Sequence, residues 1–325
     1  MYTHESLAAA RRIVGATMAP TPQQRWPLVD ARLGAAAWVK HENHTPVGAF
    51  KLRGGLVYFD ALRRREPDCT GVVSATRGNH GQSVGFAARS FGIAATIVVP
   101  RGNSVEKNAA MRAFGVELIE HGDDFQAARE HAIALAANRG LHIVPSYHDD
   151  LVRGVATCWL EFFEATAAAG QPPDVVFVPI GQGSGICACV AARAATGART
   201  RIVGVVSAHA TAYRDSFRAG RIVEAPVTTQ LADGMACRVP DAAALDVIRR
   251  EVDDVIAVTD DEVAAAMRAL FADTHNVAEG AGAASFAAAL QQRGRWAGKT
   301  VGVTISGGNV DSDVFARVLG AVAQD

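Results

Sequence analysis

Lysine is scarce in this 325-residue chain. Only four are present, Lys40, Lys51, Lys107 and Lys299, among 32 basic residues. Arginine serves as well as lysine for most surface charge work, but it stays protonated and does not form an imine with an aldehyde. A retained lysine therefore invites a chemical explanation. Charge of one sign is also lacking: a net charge of −1 leaves no basic field to displace counterions, which argues against a nucleic-acid partner. Long apolar runs are absent, and stretches such as Ile93-Ala-Ala-Thr-Ile-Val-Val99 are too short to span a membrane. The first residues, Met1-Tyr-Thr-His-Glu-Ser6, lack a basic region followed by an apolar one, so no secretory signal is expected. The five cysteines, Cys69, Cys158, Cys187, Cys189 and Cys237, are odd in number and show no zinc or CxxC spacing. They read as reduced, buried thiols of a cytoplasmic protein.

What is present is an alternation. Short apolar runs at 72–75, 95–99 and 116–119 each precede a helix-like stretch, at 79–91, 104–114 and 123–139, closed by Gly92, Gly115 and Gly140. Further strands are expected at 174–178, 201–206, 255–258 and 300–305. Such units predict an α/β fold with mostly parallel, twisted sheets flanked by helices. The length suggests one large lobe or two moderate ones. The polar break Pro145-Ser-Tyr-His-Asp-Asp150 marks one crossing, and the Arg63-Arg64-Arg65 cluster before Pro67 marks the other. Residues 1–63 and 150–325 are then a large domain and 64–149 an inserted small α/β domain. The chain runs only to Asp325 beyond its last motif, so no C-terminal regulatory domain is expected.

Four motifs carry chemistry. The first is Thr45-Pro-Val-Gly-Ala-Phe50-Lys51-Leu-Arg-Gly-Gly55, a lysine between a turn and a glycine pair; alone, it also fits a helix-start lysine with its amine in water. The second, Ser74-Ala-Thr76-Arg77-Gly78-Asn79-His80-Gly81-Gln82, lies where a strand meets a helix start, which sets backbone N–H groups at a crevice; Asn79 also suits a helix N-cap. The third, Gly181-Gln182-Gly183-Ser184-Gly185, is a glycine turn between strand and helix and makes a phosphate cradle. A dinucleotide fingerprint would place glycine where Ile186 stands, so the NAD reading is weak. Gly294-Arg-Trp-Ala-Gly298-Lys299-Thr300 is one residue short of a P-loop and precedes its strand. The fourth, Ser306-Gly307-Gly308-Asn309, puts a hydroxyl at a strand end, or is a plain strand-to-helix turn capped by Asn309. An amine, a phosphate cradle, an amide and a hydroxyl together match an aldehyde-bearing aromatic phosphate, and pyridoxal 5'-phosphate fits.

These four segments occur in the order found in the threonine/serine dehydratase family, fold-type II pyridoxal phosphate enzymes similar to tryptophan synthase β, and the resemblance covers nearly the whole chain. It implies a cofactor in the cleft between domains, joined as an imine to Lys51, with Phe50 against the pyridine ring. It further implies Asn79 at the ring hydroxyl, Gly181, Gln182, Gly183, Ser184 and Gly185 at the phosphate, and Ser306 at the pyridine nitrogen. Thr76, Arg77, Gly78, Asn79 and His80 would meet the substrate, Asp233-Gly234 would line the pocket, and Glu279 would lie near the ring. The implied reaction is β-elimination from a small β-hydroxy amino acid, with Lys51 taking the Cα proton, to give a 2-oxo acid and ammonia; the implied assembly is a homodimer.

Threonine, serine, a 3-hydroxyaspartate and a phenylserine-like substrate all remain open, as do a β-replacement synthase and an amino-acid-binding protein that has kept only the fold. The chain departs from the family pattern in places. Gln182 and Ser184 replace glycines, either adding donors to the phosphate or, more readily for Gln182, facing solvent. Arg77 replaces a small residue; it is no base, which argues against racemisation, and it either binds a carboxylate or swings to a salt bridge. Ser207, Thr211 and Tyr213 stand where relatives carry acidic metal ligands, so no metal is expected.

Overall fold

The computed structural model describes residues 2–321; Met1 and 322–325 lie outside the described residues, and with them the outermost ends of the expected large domain. Among the described residues the strands are β1 (Gln23–Arg25), β2 (Ala36–His41), β3 (Gly71–Ala75), β4 (Ala94–Val99), β5 (Glu117–Glu120), β6 (His142–Ile143), β7 (Val175–Pro179), β8 (Arg201–Ser207), β9 (Asp254–Val258) and β10 (Thr300–Ile305). They form a six-stranded sheet, ordered β1-β2-β10-β7-β8-β9, and a four-stranded sheet, ordered β5-β4-β3-β6. Among these strands only the β1–β2 pair is antiparallel. The four-stranded sheet draws every strand from 71–143, and the six-stranded sheet is built from the segments on either side.

Each sheet is apolar on both faces because helices cover both, as parallel connections require. Along β7, Val175 and Phe177 enter one core while Val176 and Val178 enter the core on the opposite face. In β3, Val72 and Val73 divide in the same way. No described helix is long and apolar enough to cross a membrane. Four cysteines are buried, but Cys69 is only half-buried, so the expectation of buried thiols fails there; all five are free.

The helix Lys51–Arg65 joins the two sheets, packing on the helices Asn79–Ser90 and Asp149–Ala168. Its crossing with the second is close: a Cβ on Gly154 would lie 2.1 Å from the Arg53 carbonyl oxygen, so only glycine allows the two backbones to meet there. On its other side, the Ser83 hydroxyl donates to the Lys51 carbonyl at 2.8 Å. The segment before this helix is tied to the end of β10. Phe50 N donates to Ser306 O at 3.0 Å, and Gly308 N to Gly48 O at 2.9 Å. The carboxyl ends of β3, β7 and β10 thus open on one crevice, the usual place for a ligand in a parallel sheet.

Candidate active site

One cavity of about 130 Å³ is lined by every residue the sequence nominates: Phe50, Lys51, Thr76, Arg77, Gly78, Asn79, His80, the run 181–185 and Ser306, with Asp233, Gly234 and Glu279. A larger groove, about 920 Å³, lies among the helices His4–Gly15, Asp149–Ala168 and Ser184–Thr196. It is a surface feature rimmed by arginines, one of them, Arg11, already paired with Glu164 at 2.8 Å, and no nucleophile or acid–base pair converges there.

Lys51 does begin a helix, but its amine is not in water. Nζ lies 3.4 Å from the Ser184 hydroxyl and 5.1 Å from the centroid of the Phe50 ring. Burial without a carboxylate partner pushes its pKa down from 10.5 to about 8. The free base is therefore far more populated near neutrality than in a solvated lysine, which a nucleophilic amine needs.

The glycine turn feeds the helix Ser184–Thr196, whose cap, Gly183, offers no side chain to the first N–H groups. Those donors and the positive end of the helix remain available to an anion. Gly183 has φ of +101°, and a Cβ on it would lie 2.6 Å from the Ala244 Cβ; one on Gly181 would lie 2.4 Å from the Gly234 carbonyl oxygen. Ser184 is buried and faces Lys51. Gln182, expected rather in solvent, is half-buried and lines the cavity. Its carbonyl accepts a hydrogen bond from the Tyr213 hydroxyl at 2.9 Å. Tyr213, which the sequence marked only as a non-acidic residue, is buried and braces the cradle.

Asn79 is not the helix cap; Gly78 is, and Asn79 is the first residue of the helix Asn79–Ser90. Its side chain is clamped from both ends. Asn79 Nδ2 donates to Glu279 Oε1, and Asn79 Oδ1 accepts from Asn309 Nδ2 at 2.8 Å. Asn309 also donates to the Val47 carbonyl at 2.9 Å, while the following helix is capped by Asp311, so the reading of Asn309 as a turn cap is corrected. Behind Glu279 stands Lys107, 2.8 Å from Asp233 Oδ2 and 3.3 Å from Glu279 Oε2. Burial alone would lower the Lys107 pKa, but the two carboxylates outweigh it and raise it. Burial also pushes Glu279 up, against the pull of Lys107. Lys107 was missed because its sequence neighbours, Ser104-Val-Glu-Lys-Asn108, read as an ordinary helix start; the only signal was the scarcity of lysine itself.

His80 is buried, and burial, aided by Lys51, pushes its pKa down to about 3, so the ring is neutral. Thr76 Oγ1 accepts from Gly78 N at 3.1 Å and sets the turn that carries Arg77. Arg77 is half-buried, and among the described residues its guanidinium enters no ion pair or hydrogen bond. Ser306 is buried, with Oγ 3.4 Å from the Ala281 carbonyl.

These residues fit pyridoxal phosphate. A buried unpaired amine stands beside an aromatic face, an uncapped helix start forms an anion cradle whose turn packs too closely on Gly234 and Ala244 for side chains at Gly181 and Gly183, and a clamped amide and a hydroxyl line the same small cavity.

The comparisons agree with that chemistry. Residues 15–307 match the family model described as pyridoxal-phosphate dependent enzyme. The chain is 38% identical over 292 residues to an L-threonine ammonia-lyase of Geobacter sulfurreducens, covering 89% of this chain and 71% of that protein. It is 32% identical over 300 residues to an L-threo-3-hydroxyaspartate ammonia-lyase of Saccharomyces cerevisiae, covering 92% and 90%. Its fold is similar to the crystal structure of T.th. threonine deaminase, with a TM-score of 0.88 at 30% identity, covering 95% of this chain and 99% of that one. With an amine, a cradle and a clamped amide in one cleft and this likeness along nearly its whole length, the chain belongs to the pyridoxal-phosphate-dependent enzyme family.

Proposed function

We propose that this chain is an ammonia-lyase that removes the hydroxyl and the amino group of a β-hydroxy amino acid, giving a 2-oxo acid and ammonia. The observation that carries the reading is the Lys51 amine: buried, without a carboxylate, its pKa lowered to about 8, and 3.4 Å from the first residue of an uncapped helix. Pyridoxal phosphate, when bound, supplies an electron sink for the Cα carbanion. The uncapped start of the helix Ser184–Thr196 would hold the phosphate, and Asn79, fixed between Glu279 and Asn309, would offer its remaining N–H to the ring hydroxyl. Lys51 Nζ takes the proton from Cα as a neutral amine. The N–H groups at the start of the helix Asn79–Ser90, capped only by glycine, receive the substrate α-carboxylate.

The test is direct. Borohydride reduction of the holoenzyme should leave a pyridoxyl tag on Lys51, and a screen of β-hydroxy amino acids should release ammonia and 2-oxo acid. A tag on another lysine, or binding of amino acids with no product, rejects the reading.

Ser306, on the cavity wall, would meet the ring nitrogen and tune the electron sink. A neutral hydroxyl stabilises a protonated ring nitrogen less than a carboxylate would, which favours prompt loss of the β-substituent. Ser306→Asp should raise the yield of transaminated cofactor per elimination event, about tenfold if the added charge is worth ~1.4 kcal/mol. Product analysis after many turnovers measures the ratio, and an unchanged ratio removes Ser306 from this role.

A further inference from the structure

One cationic side chain on the cavity wall is left without a partner among the described residues. Three cationic side chains line it, Lys51, Arg77 and Lys107, against two carboxylates, Asp233 and Glu279. Both carboxylates are engaged by Lys107, at 2.8 and 3.3 Å. His80 adds no charge, because burial keeps its ring neutral. Lys51 is the reacting amine, and the cofactor phosphate has its own cradle at the uncapped start of the helix Ser184–Thr196. The α-carboxylate common to all amino-acid substrates has the backbone donors that follow Gly78. Arg77 is left over: a half-buried guanidinium on the cavity wall with no ion pair among the described residues.

Its place in the turn is fixed. Gly78 N is bound to Thr76 Oγ1 at 3.1 Å on one side of the turn, and a Cβ on Gly78 would lie 2.5 Å from the Lys107 side chain on the other. The backbone therefore holds Arg77 at the rim while the helix start beside it faces the crevice. Filling the space next to an unpaired guanidinium with a methyl group strips water from the charge and returns nothing. A carboxylate there makes a charge-assisted, two-pronged contact.

Resting on the ammonia-lyase reading, we propose that Arg77 is a specificity-determining residue that receives an anionic group on the substrate side chain. The preferred substrate is then a β-hydroxy amino acid with a second carboxylate on Cβ, of the 3-hydroxyaspartate type, rather than threonine or serine. The leaving hydroxyl and the reaction at Cα are unchanged; only the group beyond Cβ is selected.

The experiment compares kcat/KM for threo-3-hydroxyaspartate and for threonine in the holoenzyme and in Arg77→Ala and Arg77→Gln. It also measures equilibrium binding of L-aspartate and L-alanine, neither of which carries a β-hydroxyl to lose. The unmodified enzyme should favour the dicarboxylate, and the ratio of the two kcat/KM values should fall about 100-fold in both variants, the size expected for truncating one partner of a desolvated charge pair. Aspartate affinity should fall by a similar factor relative to alanine. Equal losses for both substrates would place Arg77 on the α-carboxylate and overturn the proposal, as would an unchanged ratio. If the holoenzyme turns over neither substrate although Lys51 carries the cofactor, the elimination reading fails, and the aspartate-to-alanine binding ratio alone then decides the role of Arg77.

Discussion

Lys51→Ala should lower kcat/KM by ~10³-fold or more, because the substitution removes the group that both captures the aldehyde and takes the Cα proton. That corresponds to about 4 kcal/mol of transition-state stabilisation. Lys51→Arg should fail as badly: it keeps a cation in the same place but offers no amine that condenses with an aldehyde and no usable base. Thermal denaturation of both variants separates chemistry from folding, since among the described residues the amine makes one hydrogen bond, to the Ser184 hydroxyl at 3.4 Å. Residual activity within tenfold of the unmodified enzyme would exclude Lys51 as the reacting residue. The pH dependence follows from the same burial. The amine is lowered from 10.5 to about 8, so the free-base fraction grows as pH rises toward 8 and levels off above it. The rate at which cofactor-free protein captures pyridoxal phosphate should therefore climb tenfold per pH unit well below 8 and plateau beyond. A climb continuing toward 10.5 would mean that an ordinary, solvated lysine is reacting.

Arg53→Ala should destabilise the fold by about 3–5 kcal/mol, a large share of the total stability of a typical protein. Arg53 is fully buried, and its guanidinium reaches Glu42 Oε2 at 2.7 Å, Glu161 Oε1 at 2.7 Å and the Thr157 hydroxyl at 3.0 Å. Lys40, equally buried, donates to Glu161 at 2.7 Å and to the Thr21 carbonyl at 2.9 Å. Removing Arg53 leaves Glu161 to Lys40 but strands the buried Glu42 with only the Thr21 hydroxyl among the described residues, so the penalty is that of a stranded charge rather than of a lost contact. Arg53→Lys should recover only part, since a point charge cannot bridge both acids in the way the planar fork does. Urea denaturation measures the loss, and a change below about 1 kcal/mol would contradict the account. Because Arg53 lies one residue beyond Leu52 on the helix that starts at Lys51, cofactor capture should weaken along with stability.

Much of the parallel-sheet alternation was legible because those strands are continuous apolar runs closed by glycine. Strands β3, β4, β7, β8, β9 and β10 fall within a residue or so of expectation, and β5 starts one residue later, at Glu117. The strand β2 was not legible. Its run Ala36-Ala-Trp-Val-Lys-His41 carries a lysine and a histidine that the fold buries, the lysine through the ion cluster with Arg53 and Glu161, and no local pattern announces a charge whose partner is 121 residues away. In the site, glycine motifs were readable because each marks a turn that excludes side chains. Lys107, Tyr213 and the second role of Asn309 were not readable, since each acts by reaching a partner distant in sequence: Lys107 to Asp233 across 126 residues, Tyr213 to Gln182 across 31, and Asn309 to Asn79 across 230. Arg77 stood out by its departure from the family pattern, but only its lack of a partner among the described residues gave that departure a meaning.

The position of β10 between β2 and β7 has a consequence for how the site is held together. The last of the described strands fills the middle of the larger sheet, so β2 and β7, far apart along the chain, are joined only through it. Without β10 the segment that leads into Lys51 also loses its tie to the sheet, the hydrogen bond from Phe50 N to Ser306 O at 3.0 Å. The proposed cofactor uptake at Lys51 would in this way depend on β10 being in place.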